Sequence, residues 1–162
     1  MIALSDDKAR LDVARVHGWL ASSYWTPGIA IEQVERQIAG SHCLGAYHPE
    51  HGQVGFARMI TDYASFAWLA DVWVDEPARG AGLGRRMVQW FLDHPGYETV
   101  RRFALTTADA HGVYAALGFN PLMRPERLVE RPSADPRRPH AAAGTRRHPC
   151  RMERAQRDRG RA

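Results

Sequence analysis

Apolar and polar positions change period several times along the first 131 residues. After Asp6-Asp7, the residues Leu11, Val13, Ala14, Val16, Leu20 and Ala21 recur at partly helical spacing, so a single capped helix to about Ser22 is expected. Ser22-Ser23-Tyr24-Trp25-Thr26-Pro27-Gly28 reads as a loop. Ile31, Val34 and Ile38 share one face of a second helix over 31–39. The pattern then shifts to strands. Segments 42–47 and 53–61 flank the turn Pro49-Glu50-His51-Gly52 and form a hairpin. A further turn at 62–65 leads into a strand over 66–74. A helix follows over 82–94, with Leu83, Met87, Trp90 and Phe91 on one side, and Pro95-Gly96 stops it. Segment 101–107 reads as a strand, 109–117 as a short helix ended by Gly118, and 119–123 with 128–130 as a last pair of strands. The predicted order is helices, an antiparallel meander, and then a βαβ-like crossover, a connection that is normally right-handed. No internal repeat is present.

Composition changes sharply after Arg131. Residues 132–162 contain no Leu, Ile, Val, Phe, Tyr or Trp and are dominated by Pro, Arg, Ala and Gly. Such a segment cannot bury enough apolar surface to offset the entropy of ordering, so a disordered tail is expected. The tail also carries the excess charge. It holds 9 Arg against 3 acids, whereas residues 1–131 hold 13 Lys+Arg against 15 Asp+Glu, within a whole-chain net of +4. The part expected to fold, 1–131, is therefore mildly acidic, which argues against nucleic acid as its partner. Cys43 and Cys150 lie far apart and form no CxxC pair. Neither a disulfide framework nor a metal site is expected, and a cytoplasmic setting follows from that usage. The first residues lack the basic and apolar regions of a signal peptide, and no run approaches the ~20 apolar residues of a membrane span.

The chemistry concentrates at residues 72–85. The strand end Val72-Trp73-Val74 turns through Asp75-Glu76-Pro77-Ala78 into Arg79-Gly80-Ala81-Gly82-Leu83-Gly84, which opens a helix at Arg85-Arg86. A helix N-terminus leaves unpaired N–H groups and the positive end of the dipole. Glycines let a ligand approach the backbone closely, and three arginines add charge. A diphosphate suits such a site. The GxxxxGK[ST] phosphate loop is absent, and Gly80-x-Gly82-x-Gly84 does not match the dinucleotide spacing GxGxxG.

The run from Val74 to Gly84 resembles the V-x-P-x-x-[QR]-x-x-G-x-[GA] signature of the GNAT acetyltransferases. The segment 109–119 resembles the family's N-x-x-x-x-Y-x-x-x-G-F block, in the right order and at the right distance. The resemblance covers roughly residues 1–131. It implies an α/β fold: a mostly antiparallel, mixed sheet with splayed strands and flanking helices. It also implies an enzyme that moves an acetyl group from acetyl-CoA to a primary amine by direct attack in a ternary complex. The alternative it leaves open is a catalytically weak acyl-CoA-binding protein.

By that resemblance, backbone groups of Val72, Trp73 and Val74 face the acetyl and pantetheine arm. Backbone N–H groups of Arg79, Gly80, Ala81, Gly82, Leu83, Gly84 and Arg85 bind the diphosphate. Tyr114 matches the tyrosine that protonates the departing thiolate, a role suited to a phenol with a reference pKa near ~10. Asp109 stands where the family has asparagine. It is either a cofactor contact that only accepts hydrogen bonds or a cap of the short helix. His111 is expected to be exposed.

A base is also needed if the amine arrives protonated. Asp71 interrupts an otherwise apolar strand and is the leading candidate; a structural hydrogen bond to a backbone amide or to a Tyr or Trp would explain it equally. Asp62, Glu35 and His17 are weaker candidates. Tyr24, Trp25 and Tyr63 lie in loops and are expected to bind the acceptor, while Phe66, Trp68 and Trp90 read as core. An aromatic, partly acidic cleft suits a hydrophobic or cationic amine, either a small molecule or a peptide amine. Dimers are common in the family, so the resemblance allows a homodimer, but no interface is legible.

Overall fold

The alternating segments between residues 42 and 74 form the centre of a five-stranded sheet. In the computed structural model, which describes residues 1–131, the strands lie in chain order: β1 (Ala3–Ser5), β2 (His42–His48), β3 (Gly52–Thr61), β4 (Phe66–Val74) and β5 (Arg102–Ala104). Neighbours are antiparallel except β4 and β5, which are parallel. Parallel strands need a long connection, and α3 (Leu83–Leu92) supplies it.

Alternation sorts side chains to two faces. Leu44, Ala57, Met59, Ala67 and Leu69 pack with Leu83, Met87, Val88 and Phe91 of α3. Cys43 and Phe56 pack with Val16, Trp19 and Leu20 of α1 (Val13–Ser22) and with Val34 and Ile38 of α2 (Ile31–Ala39). Each layer buries one stripe of its helices, and this packing supplies most of helical stability. Phe91 is fully buried at the centre of the α3 layer. Phe91→Ala is expected to cost about 3–5 kcal/mol in urea unfolding, through lost transfer energy and the cavity left behind.

Several sequence expectations are corrected. The first helix is two elements: Asp7 caps a 3-10 turn at Lys8–Arg10, and Asp12 starts α1 afresh by accepting from the Arg15 N–H. The residues just before it form β1, whose three-residue length left no periodicity to read. β5 is shorter than the expected 101–107. Neither 119–123 nor 128–130 is a strand. Pro121 removes a ladder donor from the first of these, and among the described residues the only regular structure after it is a 3-10 turn at Pro125–Arg127. Contacts group Met1–Pro121 as one compact unit, and a second begins at Leu122. The tail expected over 132–162 lies outside the described residues. No helix among the described residues is long and apolar enough to cross a membrane.

His42, at the start of β2, sits among Asp6, Tyr97 and His94. Burial pushes its pKa down, opposed by the hydrogen bond to the Asp6 carboxylate, while His94 and Lys8 lower it further. The unfolded chain therefore takes up the proton first as pH falls. Stability present above the unfolded value near ~6.5 is expected to decline as pH drops through it toward the lowered folded value. Urea midpoints at several pH values should show this decline in the wild type and a weaker one in His42→Gln.

Candidate functional site

β4 and β5 pair only through Phe66↔Arg102, Ala67↔Phe103 and Trp68↔Ala104. Beyond that the chains separate: β4 continues to Val74, while the chain after β5 turns through 105–110 into α4 (His111–Ala115). The gap holds a cavity of about 550 Å³, lined by Trp68–Val72 on one side and Leu105–Ala110 on the other, with Tyr114, Tyr24 and Trp25. The α1–α2 loop reaches over it: the Tyr24 hydroxyl accepts from the Ala108 N–H at 3.4 Å, and Trp25 packs edge-on against Tyr24.

The chain after β4 builds the second part of the site. Gly80 (φ 83) and Gly82 (φ 74) both adopt the left-handed conformation, and Gly82 is the N-cap of α3 with no side-chain cap. Among the described residues, the N–H groups of residues 80–85 have no hydrogen-bond partner; the first to find one is Arg86, which donates to the Gly82 carbonyl. Alternating backbone conformations that aim consecutive N–H groups outward make an anion-binding concavity. The positive end of the helix reinforces it. A Cβ placed on Gly80 or Gly82 meets nothing within 4 Å, so the space above the loop is open.

Three details of the expected loop change. The Arg79 N–H already donates to the Glu76 carbonyl, so the cradle begins at Gly80. The Arg79 side chain folds back over the Trp73 ring, with its Nε donating to the Val74 carbonyl at 2.9 Å. Arg86 donates to the Ile2 carbonyl. Of the three arginines, only Arg85 has no such commitment among the described residues.

Asp71 has the most constrained position in the sheet. Strict alternation would point it to the face of Ala67 and Leu69, into apolar core. Instead Phe56↔Trp73 and Arg58↔Ala70 leave one extra residue in β4, a bulge, and Asp71 takes φ 53. A non-glycine residue held there costs about 1–3 kcal/mol and persists only when its surroundings over-determine it. Here its oxygens are held separately. Oδ1 accepts from the Trp25 indole N–H at 3.0 Å, and Oδ2 pairs with Arg58 Nε. Arg58 Nη1 donates in turn to Ser41 Oγ at 3.1 Å. The Arg58 and Asp71 side chains are 10% and 4% exposed, so the pair is held in the interior at the cavity wall. Both carboxylate oxygens are engaged as acceptors.

Tyr114 packs edge-on against Phe119, 5.9 Å between ring centres, with its ring at the cavity. Burial raises its pKa, and Tyr24 and Asp109 raise it further. Asp109 lines the same cavity but does not cap α4, whose first turn is held by the Thr107 hydroxyl accepting from the Ala110 N–H. His111 is exposed at the start of α4.

The structure thus gathers Tyr24, Trp25, Asp71, Val72, Asp109 and Tyr114 around one cavity, and with them Trp68, which the sequence reading assigned to the core. Tyr63 stands apart. It stacks on Tyr97 at 5.5 Å in the β3–β4 turn and touches no part of the cavity lining. Asp62 is a turn residue accepting from Ser65 and from the N–H groups of Ala64 and Phe66, which lower its pKa. His17 is bonded to the Ile29 carbonyl at 2.9 Å, and Glu35 is exposed on α2. Sequence reasoning missed Arg58 and Ser41. The signal for Arg58 was available: a lone arginine inside the apolar strand Val54–Ile60 raises the same question as Asp71 inside β4.

Comparison with known proteins agrees with this geometry. The model of an acetyltransferase (GNAT) domain matches residues 39–121. A crystal structure of a GNAT-family protein from Xanthomonas campestris pv. campestris is 39% identical, covers 82% of this chain and 94% of its own, and superposes with a TM-score of 0.79. A Gibberella zeae protein with an acetyltransferase name is 29% identical over 126 residues, 65% of this chain and 71% of its own. Glucosamine-6-phosphate N-acetyltransferase from Arabidopsis thaliana shares the fold at 14% identity, with a TM-score of 0.59 over 83% of this chain and 99% of its own. By its splayed sheet, its glycine-opened helix and these matches, the chain belongs to the GNAT acetyltransferase family.

Proposed function

We propose that this chain is an N-acetyltransferase that moves an acetyl group from acetyl-CoA to a primary amine by direct attack within a ternary complex. The observation that carries the reading is the row of partnerless N–H groups at 80–85 beside a strand edge that opens onto a cavity containing Tyr114. Acetyl-CoA supplies an activated thioester and a diphosphate. The N–H groups from Gly80 to Arg85 hold the diphosphate. The β4 edge at Val72, Trp73 and Val74 offers backbone groups to the arm that carries the acetyl group.

Tyr114 then holds a proton over the neutral pH range, because burial keeps its hydroxyl protonated, and gives it to the departing sulfur. Asp71 does not serve as a free base in this reading: with Trp25 and Arg58 on its two oxygens it positions the amine. The incoming amine loses its proton to water in the open cavity mouth.

The test is thiol release from acetyl-CoA across a panel of amines, read together with acetyl-CoA affinity. Tyr114→Phe is expected to lower kcat about 100-fold, the lower end of general-acid contributions, with acetyl-CoA affinity within about twofold of wild type, because the phenyl ring keeps its packing on Phe119. Unchanged kcat would remove Tyr114 as the proton donor. Acetyl-CoA binding without turnover on any amine would leave only a binding protein.

A further inference from the structure

The charges around the cavity are one-sided. Two carboxylates, Asp71 and Asp109, line it together with Tyr24, Trp25, Trp68 and Tyr114, and among the described residues no Lys, Arg or His contributes to the lining. The guanidinium nearest to hand is Arg58, and it is already committed: Nε to Asp71 and Nη1 to Ser41. A phosphate or carboxylate entering here would lose its hydration and find, among the described residues, no free cation to replace it. An ammonium group would find the reverse. A carboxylate has about four acceptor positions, and Trp25 and Arg58 occupy two of those on Asp71, one on each oxygen. The others accept from no donor among the described residues, and the surrounding rings favour a cation through their faces.

Resting on the acetyltransferase reading above, we propose that the acceptor is a cationic primary amine on an apolar or aromatic body, with no acidic group near the nitrogen. Asp71 receives its N–H groups, and Arg58 acts as the positioning residue that holds Asp71 toward them. Trp25 links selection to alignment, because the indole that walls the cavity also fixes Asp71 Oδ1. Two elements thus meet at the amine: the α1–α2 loop brings Trp25, and the β4 bulge brings Asp71. The matching charge inside the sheet is Arg58 on β3.

A matched pair of compounds tests this on the full chain. 2-Phenylethylamine and phenylalanine share ring and amine and differ by one carboxylate beside the nitrogen. Titrating each into the CoA-saturated protein, read by the change in intrinsic tryptophan fluorescence that ligand beside Trp25 and Trp68 produces, should give at least tenfold tighter binding of 2-phenylethylamine. Glucosamine 6-phosphate should bind no better than phenylalanine. Asp71→Asn keeps a side chain that tolerates the left-handed backbone and still accepts from Trp25, and should reduce the preference to less than threefold, with CoA affinity unchanged. Equal binding of the pair, a preference for the acidic compound, or no binding of either would overturn the proposal. So would a preference that survives Asp71→Asn and disappears in Asp109→Asn. Should Asp71→Asn fail to fold, the wild-type pair still decides. Turnover is scored separately: selective binding of 2-phenylethylamine without acetyl transfer would sink the transferase reading and leave the amine selectivity standing.

Discussion

Gly82→Trp is expected to weaken acetyl-CoA binding at least 100-fold while the protein stays folded. Gly82 is the N-cap of α3, at φ 74, with open space where its side chain would be. A Cβ there meets no protein atom within 4 Å, so the side chain leaves on the open side of the loop, away from the core. It does fill the volume in front of the N–H groups from Gly80 to Arg85, where a diphosphate must come within hydrogen-bond distance. The left-handed backbone adds a strain of about 1–2 kcal/mol, which should appear as a modest loss in thermal stability. Gly82→Asn isolates that strain, since asparagine tolerates this conformation, and should retain binding within about tenfold. Calorimetric titration with acetyl-CoA separates the two variants. Full-strength binding by a folded Gly82→Trp protein would move the diphosphate elsewhere and undo the assignment of residues 80–85.

A stability loss as large as that of Phe91→Ala is expected at Arg58. Removing one member of a buried ion pair leaves the other charge without compensation, at about 3–5 kcal/mol, against a typical total of about 5–15 kcal/mol for a domain. Arg58→Ala strands the Asp71 carboxylate, which keeps only the Trp25 N–H. Arg58→Met with Asp71→Asn removes both charges and keeps the left-handed backbone at 71 tolerable, so the double variant should be more stable than Arg58→Ala. Urea denaturation of Arg58→Met, Asp71→Asn and the double variant closes the cycle and gives the coupling. A loss below about 1 kcal/mol for Arg58→Ala would mean that water reaches the pair and that it does not organise the cavity wall.

What could be read in advance follows the range of the interactions involved. The bounds of β4 and α2 were legible residue for residue because each is marked locally: an apolar run from Phe66 to Val74, broken only by Asp71 and bounded by turn residues, and Ile31, Val34 and Ile38 on one helical face. The glycine loop was legible because its chemistry lies within six consecutive residues. The Arg58–Asp71–Trp25 contact was not, since its members are 13 and 46 positions apart and meet only through the pairing of β3 with β4 and the fold of the α1–α2 loop. Asp71 signalled that something must satisfy it, and a tryptophan was among the partners foreseen, but the arginine was not. Tyr63 misled for a related reason. Its position in a loop suggested function, yet its ring is spent on Tyr97. The last predicted strands failed because hydrophobic residues around Pro121 satisfy a pattern without securing a partner for the ladder.

The early end of pairing between β4 and β5 also sets how the site reports its own state. Past Trp68 and Ala104 the two chains face a gap in place of each other. Backbone amides that point into that gap are expected to exchange their protons with solvent, whereas those of β4 directed at β3 are paired in the ladder from Gly55 to Thr61. An acyl chain carrying its own amides, laid between the separated strands, would act as a short sixth strand. Its arrival would then be visible as slowed deuterium uptake confined to one edge of residues 69–74, with the opposite edge of the same strand unchanged.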